Sequence, residues 1–257
     1  MLSPSKTQER GVLHETDAYL FRYPETEDEI IDHENVLVGS RFSGNPQYVL
    51  MEISRETIAR ISFLERDQEI SNQQRIAVFD KSTGTICGAF GVSRLDQEVS
   101  IPDFNVKFSH DPAILRMYEH YYQLEHSLKM TYPKYFQDLS KICVMHAFAV
   151  APEYRGRGIA TLMNEVSIKR AKELGCKYMI AFMVSPETQH IGRKYGFQLL
   201  VEQGYERDGL YDQLMLEKKG QEFSERQLKK IEEIKDKFNG REPIYQAVLL
   251  TLDDSSS

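Results

Sequence analysis

Two short runs of the chain, residues 142–150 and 178–184, are apolar at almost every position. Runs of this length that are apolar at both odd and even positions predict strands covered on both faces. Between them, residues 159–174 place Ile, Leu, Met and Val at helical spacing, and Gly175 follows as a stop. The chain therefore contains a predicted β-α-β unit.

Weaker patterns extend this unit on both sides. Residues 75–79 and 85–92 predict a hairpin, in which Gly84 supplies the positive φ of the turn. The other expected elements are a strand at 18–23, helices at 25–38 and from Ser54, a short helix from Ser185-Pro186 to Gly196, strands at 197–201, 211–215 and 244–252, and a charged helix from Ser224.

These elements predict an α/β fold with a mixed, twisted central sheet flanked by helices. An insertion at about 95–140, helical from Asp111-Pro112, precedes the apolar strand at 142–150. No Gly/Ser/Pro-rich linker divides the chain, so we expect a disordered lead at 1–14, one domain at 15–252 and a tail at 253–257.

Composition narrows the functional classes. The 257 residues are 41% hydrophobic and 28% charged, as in ordinary globular proteins, and the net charge of −7 argues against a nucleic-acid binder. The N-terminus does not have the pattern of a signal peptide, and no apolar run reaches membrane-spanning length. Three cysteines without a CxxC pair favour a reduced, cytoplasmic protein, and the histidines lack metal-ligand spacing. We therefore expect a small-molecule partner and no metal.

A glycine-rich turn at 150–160 joins the apolar strand to the amphipathic helix. Such a junction directs backbone N–H groups at one point, at the positive end of a helix dipole, where a phosphate binds. The turn does not have the Gly-Lys-Ser/Thr ending of a P-loop. It also departs from the GxGxxG motif, because Thr161 stands where the third glycine of the motif would be.

The pattern Arg155-x-x-Gly158-x-Ala160, with Tyr195-Gly196-Phe197 downstream, resembles the GCN5-related N-acetyltransferases (GNAT). The resemblance implies a GNAT-type sheet and acetyl-CoA as cosubstrate. It also implies that the backbone of the strand end and the turn binds the coenzyme. The coenzyme-binding residues are then Phe148, Ala149, Val150, Arg155, Gly156, Arg157, Gly158, Ile159 and Ala160.

Within this superfamily the chain is similar to the arylalkylamine N-acetyltransferases of invertebrates. The similarity lies in Tyr132–Phe136 at the end of the insertion, in Tyr154–Ala160 and in the C-terminal strand. It implies direct acetylation of a small primary amine, an arylalkylamine first of all. A polyamine, an amino acid or a protein amine are alternative acceptors, and a CoA-binding module without catalysis is an alternative of another class. The acyl length and the choice between monomer and homodimer stay open.

The general base is not settled by the resemblance. Asn45 stands where the invertebrate enzymes carry a catalytic Glu, and Glu52 is one substitute. His146 is another, because vertebrate serotonin N-acetyltransferases have a histidine at the matching position. By strand alternation we expect His146 to face the same side as Phe148 and Val150, and Cys143 to face the other side.

The acid that protonates the departing thiolate is equally open. In many relatives it is a tyrosine at the position of Gly192. Tyr195, Ser185 and Thr188 are alternatives. A backbone N–H around Phe148–Val150 is expected to stabilise the developing oxyanion, which is worth roughly 3 kcal/mol per donor.

Overall fold

The computed structural model describes residues 11–44, 54–59, 74–97, 125–204 and 244–252, with isolated positions 229, 233 and 236. Eight strands form one sheet in the order β1-β2-β3-β4-β5-β6-β8-β7. The strands are β1 Val12–Glu15, β2 Tyr19–Arg22, β3 Arg75–Asp80, β4 Ile86–Arg94, β5 Ile142–Val150, β6 Tyr178–Met183, β7 Gln198–Gly204 and β8 Ile244–Thr251. The helices with full bounds are α1 Glu27–Gly44, α2 Ile159–Glu173 and α3 Pro186–Lys194.

The strand pairing is antiparallel except at the centre of the sheet. Among the described strands, only β5 and β6 pair in parallel, as expected for strands joined by a crossover helix. Strand β8 inserts between β6 and β7 and pairs antiparallel with both. The mixed sheet flanked by helices confirms the predicted fold class.

Most local predictions within the described residues agree with the structure. β3 and β4 form the predicted hairpin, and Gly84 has φ 73° in its turn. Ser54 caps a helical turn at 55–59, since the N–H of Thr57 donates to its Oγ. Ser185 caps α3 through a capping box with Thr188. The predicted segment at 211–215 and the helix from Ser224 lie largely outside the described residues.

The N-terminal boundary of the domain was predicted wrongly. Residues 12–14, assigned to the disordered lead, belong to β1, which pairs antiparallel with β2. Three half-buried residues followed by an exposed one give no clear hydrophobic pattern. This strand is defined instead by its hydrogen bonds to β2, which the sequence pattern does not reveal.

The two faces of the sheet are covered by different parts of the chain. On one face, here called the α2 face, α2 packs through Ile159 and Met163 against Phe90, Val92 and Cys143. On the other, the α1 face, Leu37 of α1 packs against Ala89 and Ala149. The end of the insertion covers the same face further along, with Tyr135 and Phe136 against Ile142, Ile180 and Leu249.

No helix within the described segments is both long and apolar enough to cross a bilayer.

Candidate active site

The parallel strands β5 and β6 pair only along the first part of β5. They pair from Ile142 with Tyr178 to Met145 with Ala181, and beyond that point no described strand pairs with β5 on its β6 side. Among the described strands, His146, Ala149 and Val150 pair with β4. The sheet therefore has an open slot at its centre, next to the turn that the sequence singled out.

Two glycines shape the turn at the end of β5. Gly156 has φ 77° and Gly158, the residue that caps α2, has φ 81°. A Cβ at either position would meet no atom within 4 Å, so the positive φ, and not crowding, requires glycine here. No side chain caps α2 in the described structure, which leaves the first amides of the helix for an anion.

The arginine side chains of this turn bind the turn itself. Arg155 Nε donates to the Val150 carbonyl at 3.4 Å, and Arg157 donates to the Glu153 carbonyl at 2.9 Å. The Arg157 guanidinium also lies 4.8 Å from the centre of the Tyr154 ring. Backbone amides are therefore the main candidates for binding a diphosphate, and the arginines stiffen the loop and add positive charge.

The end of β5 directs its backbone N–H groups to alternating sides. The Ala151 N–H donates to the Cys87 carbonyl, on the β4 side. Because neighbouring N–H groups of a strand point in opposite directions, that of Val150 points into the slot, as does that of Phe148. These donors are placed to bind a carbonyl oxygen that enters the slot, which fits the expected oxyanion stabilisation.

A β-bulge at Ala147 changes which way His146 faces. Gly91 pairs with His146 and Ala89 pairs with Ala149, so Phe90 stands opposite two residues of β5. Ala147 lies in this bulge and has φ 54°, in the left-handed region that non-glycine residues rarely adopt. Phe148 and Val150 pack on the α2 face, whereas Ala147 and Ala149 pack against Leu37 on the α1 face.

The expectation that His146 shares a face with Phe148 and Val150 is therefore wrong. Its ring lies over Gly91 on the α1 face, near the charges of Arg75 and Arg41. Simple alternation fails because the bulge inserts one residue between His146 and Phe148. Cys143 does face the opposite side from His146, as predicted, within the core under α2.

The His146 side chain is half-buried and lies near positive charges. Its Nε2 is enclosed and has no hydrogen-bond partner among the described residues. Burial, followed by the positive charges of Arg75 and Arg41, lowers the pKa of His146 to about 3. The ring is therefore neutral at physiological pH, and this environment makes it a weak base.

A buried charged cluster lies beside His146 on the α1 face. Glu34 of α1 forms an ion pair with Arg75 of β3, and His33 Nδ1 lies 3.0 Å from the Glu34 carboxylate. These three side chains are at most 4% exposed. Burial lowers the pKa of His33, with Arg75 acting in the same direction. Nothing in the sequence pattern pointed to this cluster, since Glu34 and Arg75 are 41 positions apart.

Two of the predicted acid candidates have other partners. The Tyr195 hydroxyl donates to Glu165 Oε1 at 2.5 Å, and burial and this carboxylate raise the pKa of Tyr195 to about 12. A phenol with so high a pKa is a weak donor to a thiolate. The Ser185 hydroxyl accepts the Thr188 N–H and lies 3.2 Å from the Thr188 hydroxyl. Both residues of that pair are engaged in capping α3.

The position of the relatives' tyrosine is filled by another residue. A Cβ built on Gly192 would overlap the Met183 thioether, with its Cε at 2.6 Å. Gly192 is buried, and Met183 of β6 is 2% exposed. The Met183 thioether thus occupies the space that a side chain at position 192 would need.

Glu52, the other base candidate, lies outside the described residues, as does Asn45. No group of three or more His, Cys, Asp or Glu side chains suited to a metal occurs in the described part of the chain.

An anion site and backbone donors along a central slot, with a neutral imidazole across the strand, suit transfer of an acyl group from a phosphate-bearing thioester. The chain is of that class, the acyltransferases. It belongs to the acetyltransferase (GNAT) family, whose model matches residues 16–197. Enzymes of this family are N-acetyltransferases that take the acetyl group from acetyl-CoA without a metal.

Similar solved structures support the fold assignment. Arylalkylamine N-acetyltransferase 2 from Aedes aegypti is 14% identical, with a TM-score of 0.64, and 91% of this chain and 99% of that chain are covered. The C-terminal condensation domain of Ebony, solved with beta-alanyl-dopamine, is 13% identical with a TM-score of 0.65, covering 91% and 98%. A Drosophila melanogaster polyamine N-acetyltransferase is 15% identical with a TM-score of 0.61, covering 91% and 100%. A search of curated protein sequences gave no significant match.

Proposed function

We propose that the protein acetylates a small primary amine, an arylalkylamine in the first place, by direct transfer from acetyl-CoA. The observation that carries the proposal is the separation of β5 from β6 beyond Met145. In this proposal a thioester bound from the turn side and an amine from the α1 face meet at the backbone of β5.

The donor half of the site uses the turn at 155–160 and the end of β5. The amides at the start of α2 bind the diphosphate, and the N–H groups of Phe148 and Val150 hold the thioester carbonyl. The coenzyme supplies the activated acetyl group. With Gly192 closed off by Met183, protonation of the departing thiolate falls to solvent or to the Ser185–Thr188 hydroxyl pair at the start of α3.

The acceptor half uses His146. An amine with a pKa of about 10 is mostly protonated in solution, and its nitrogen must lose protons to form an amide. A nitrogen that bonds to a carbonyl gains positive charge and becomes a stronger acid. His146 is neutral and can accept that proton, but burial makes it a weak base, so the transfer requires the bound substrate and solvent to stabilise the imidazolium before it returns the proton to solvent. Glu52 remains the alternative base.

Two observations favour an aromatic acceptor. Tyr132, Tyr135 and Phe136 pack at the end of the insertion on the α1 face, the face that carries His146. Several structural neighbours are arylalkylamine N-acetyltransferases by name. The second candidate acceptor is a polyamine or agmatine, because other neighbours of the same fold are named for those substrates.

The discriminating experiment is a thiol-release assay with acetyl-CoA against dopamine, tyramine, serotonin, agmatine, spermidine and a lysine peptide. We expect the largest kcat/KM with an aromatic amine. A larger kcat/KM with agmatine or spermidine would select the second candidate. Coenzyme binding without turnover on any amine would instead indicate a binding module. Reactions without amine measure background hydrolysis.

A further inference from the structure

The ring of His146 occupies the space where residue 91 would carry a side chain. Gly91 of β4 is the direct cross-strand partner of His146. A Cβ built on Gly91 would lie 2.7 Å from Nδ1 and 2.8 Å from Nε2 of the ring, and closer still to Cε1. Carbon atoms in van der Waals contact lie about 3.5–4.0 Å apart, so even an alanine is excluded while the ring stays in place.

The backbone of Gly91 does not itself require glycine, because its φ lies outside the positive region where glycine is needed. Gly91 is therefore explained by what lies over it. Gly39 of α1 differs, because a Cβ there would meet nothing within 4 Å.

Buried and charged groups lie beside the ring on the α1 face. The bulge at Ala147, where φ is 54°, sets the backbone conformation next to His146. On the α1 face, the fully buried His33 lies close to the backbone of Phe90, next to Gly91, and the Glu34–Arg75 pair adjoins it. A side chain at position 91 must therefore drive the imidazole towards solvent.

We infer that Gly91 is a positioning residue for the His146 ring: by lacking a side chain, it forms the seat on which the ring lies. The inference rests on the proposed function only where it concerns catalysis. The seat itself is a property of the fold and can be tested without any substrate.

The test compares Gly91→Ala with Gly39→Ala in the full-length protein. The NMR signal of the His146 Cε1–H is assigned by its loss in His146→Gln. We expect this signal to shift in Gly91→Ala, and the pKa of His146 to rise towards the value of a solvent-exposed histidine. Neither should change in Gly39→Ala. An unmoved signal in Gly91→Ala overturns the inference.

A kinetic arm follows on the best amine. Gly91→Ala should lower kcat by about 10- to 100-fold, since a displacement near 1 Å can cost two orders of magnitude, while the KM for acetyl-CoA stays within about twofold. In the His146→Gln background the same change should have little further effect. Full additivity of the two losses would contradict a shared mechanism. If the wild type proves inactive on every amine, the proposed function fails, and the NMR result still decides the role of Gly91.

A rescue variant covers the case in which Gly91→Ala does not fold. If the overlap with the ring is the cause, then Gly91→Ala/His146→Ala should fold as stably as His146→Ala alone, measured by thermal unfolding. A double variant as unstable as Gly91→Ala would show that the glycine serves another purpose and would overturn the inference.

Discussion

The two halves of the site are built in different ways. The donor half is local: the turn, its two positive-φ glycines and the first amides of α2 all lie within residues 155–160. The acceptor half is assembled from distant parts of the chain, with α1, β3, β4 and β5 each contributing a side chain or a space around His146.

This difference decides how each half responds to change. A local turn depends on the conformations that its own residues can adopt, so backbone substitutions should damage it most. A site made by long-range packing depends on the fit between elements. Changes to His146 should therefore affect catalysis and acid stability and leave coenzyme binding intact.

The largest effect is expected from His146→Gln. Loss of a general base typically lowers the rate by about 10²–10⁴-fold, and we expect kcat on the best amine to fall within that range. The Kd for coenzyme A, measured by calorimetry, should not change, because the ring lies on the opposite face from the turn. A variant that keeps kcat would transfer the role of base to Glu52.

Gly158→Pro should damage the donor half. Proline has φ near −65° and cannot adopt the φ of 81° observed here, so the amides at the start of α2 lose their arrangement. We expect coenzyme A binding to weaken by at least about 100-fold, roughly the loss of two charge-assisted hydrogen bonds. Arg155→Ala is the matched comparison and should cost only a few-fold. Equal losses in a CoA titration would show that the side chains dominate.

The neutral His146 should make the fold sensitive to acid. Its pKa is about 3 in the folded chain and about 6.5 when unfolded, so the unfolded state binds more protons between these values. Stability is therefore complete above pH 6.5 and falls as the pH drops towards 3. Between pH 7 and pH 5 the wild type should lose about 2 kcal/mol more than His146→Gln in the free energy of unfolding.

Urea unfolding of both proteins at the two pH values measures this difference. The Arg22–Glu29 pair, where Arg22 lowers the pKa of Glu29 to about 2, also loses stability in acid and is common to both proteins. Parallel losses would mean that His146 is solvated and protonates normally.

Tyr195→Phe should have the smallest effect. The hydroxyl is engaged with Glu165, and its pKa of about 12 makes it a poor acid. We expect kcat to change by less than about threefold. A fall of 100-fold, with folding unchanged by circular dichroism, would restore Tyr195 as the proton donor.

What sequence reasoning could predict follows the same division. The β-α-β unit, the hairpin turn at Gly84 and the capping of α3 by Ser185 depend on near neighbours, and all agree with the structure. The direction of His146 was missed because a bulge depends on pairing with β4, 56 residues earlier at Phe90–Gly91. Strand alternation assumes that no residue is inserted, and Ala147 breaks that assumption.

The charged cluster near His146 could not be predicted from the sequence either. Glu34 and Arg75 read as ordinary charged residues in sequence, and only the fold buries them together. The sequence shows Gly192 as a departure from relatives. It does not show that the Met183 thioether of β6 fills the space next to Gly192.

The most direct test of the account is a calorimetric titration of the pure protein with acetyl-CoA and with free coenzyme A. We expect saturable binding of both at one site per chain, retained in His146→Gln and lost or severely weakened in Gly158→Pro. No binding heat with either coenzyme, or equal binding by Gly158→Pro, would contradict the assignment of the turn at 155–160 as the diphosphate site.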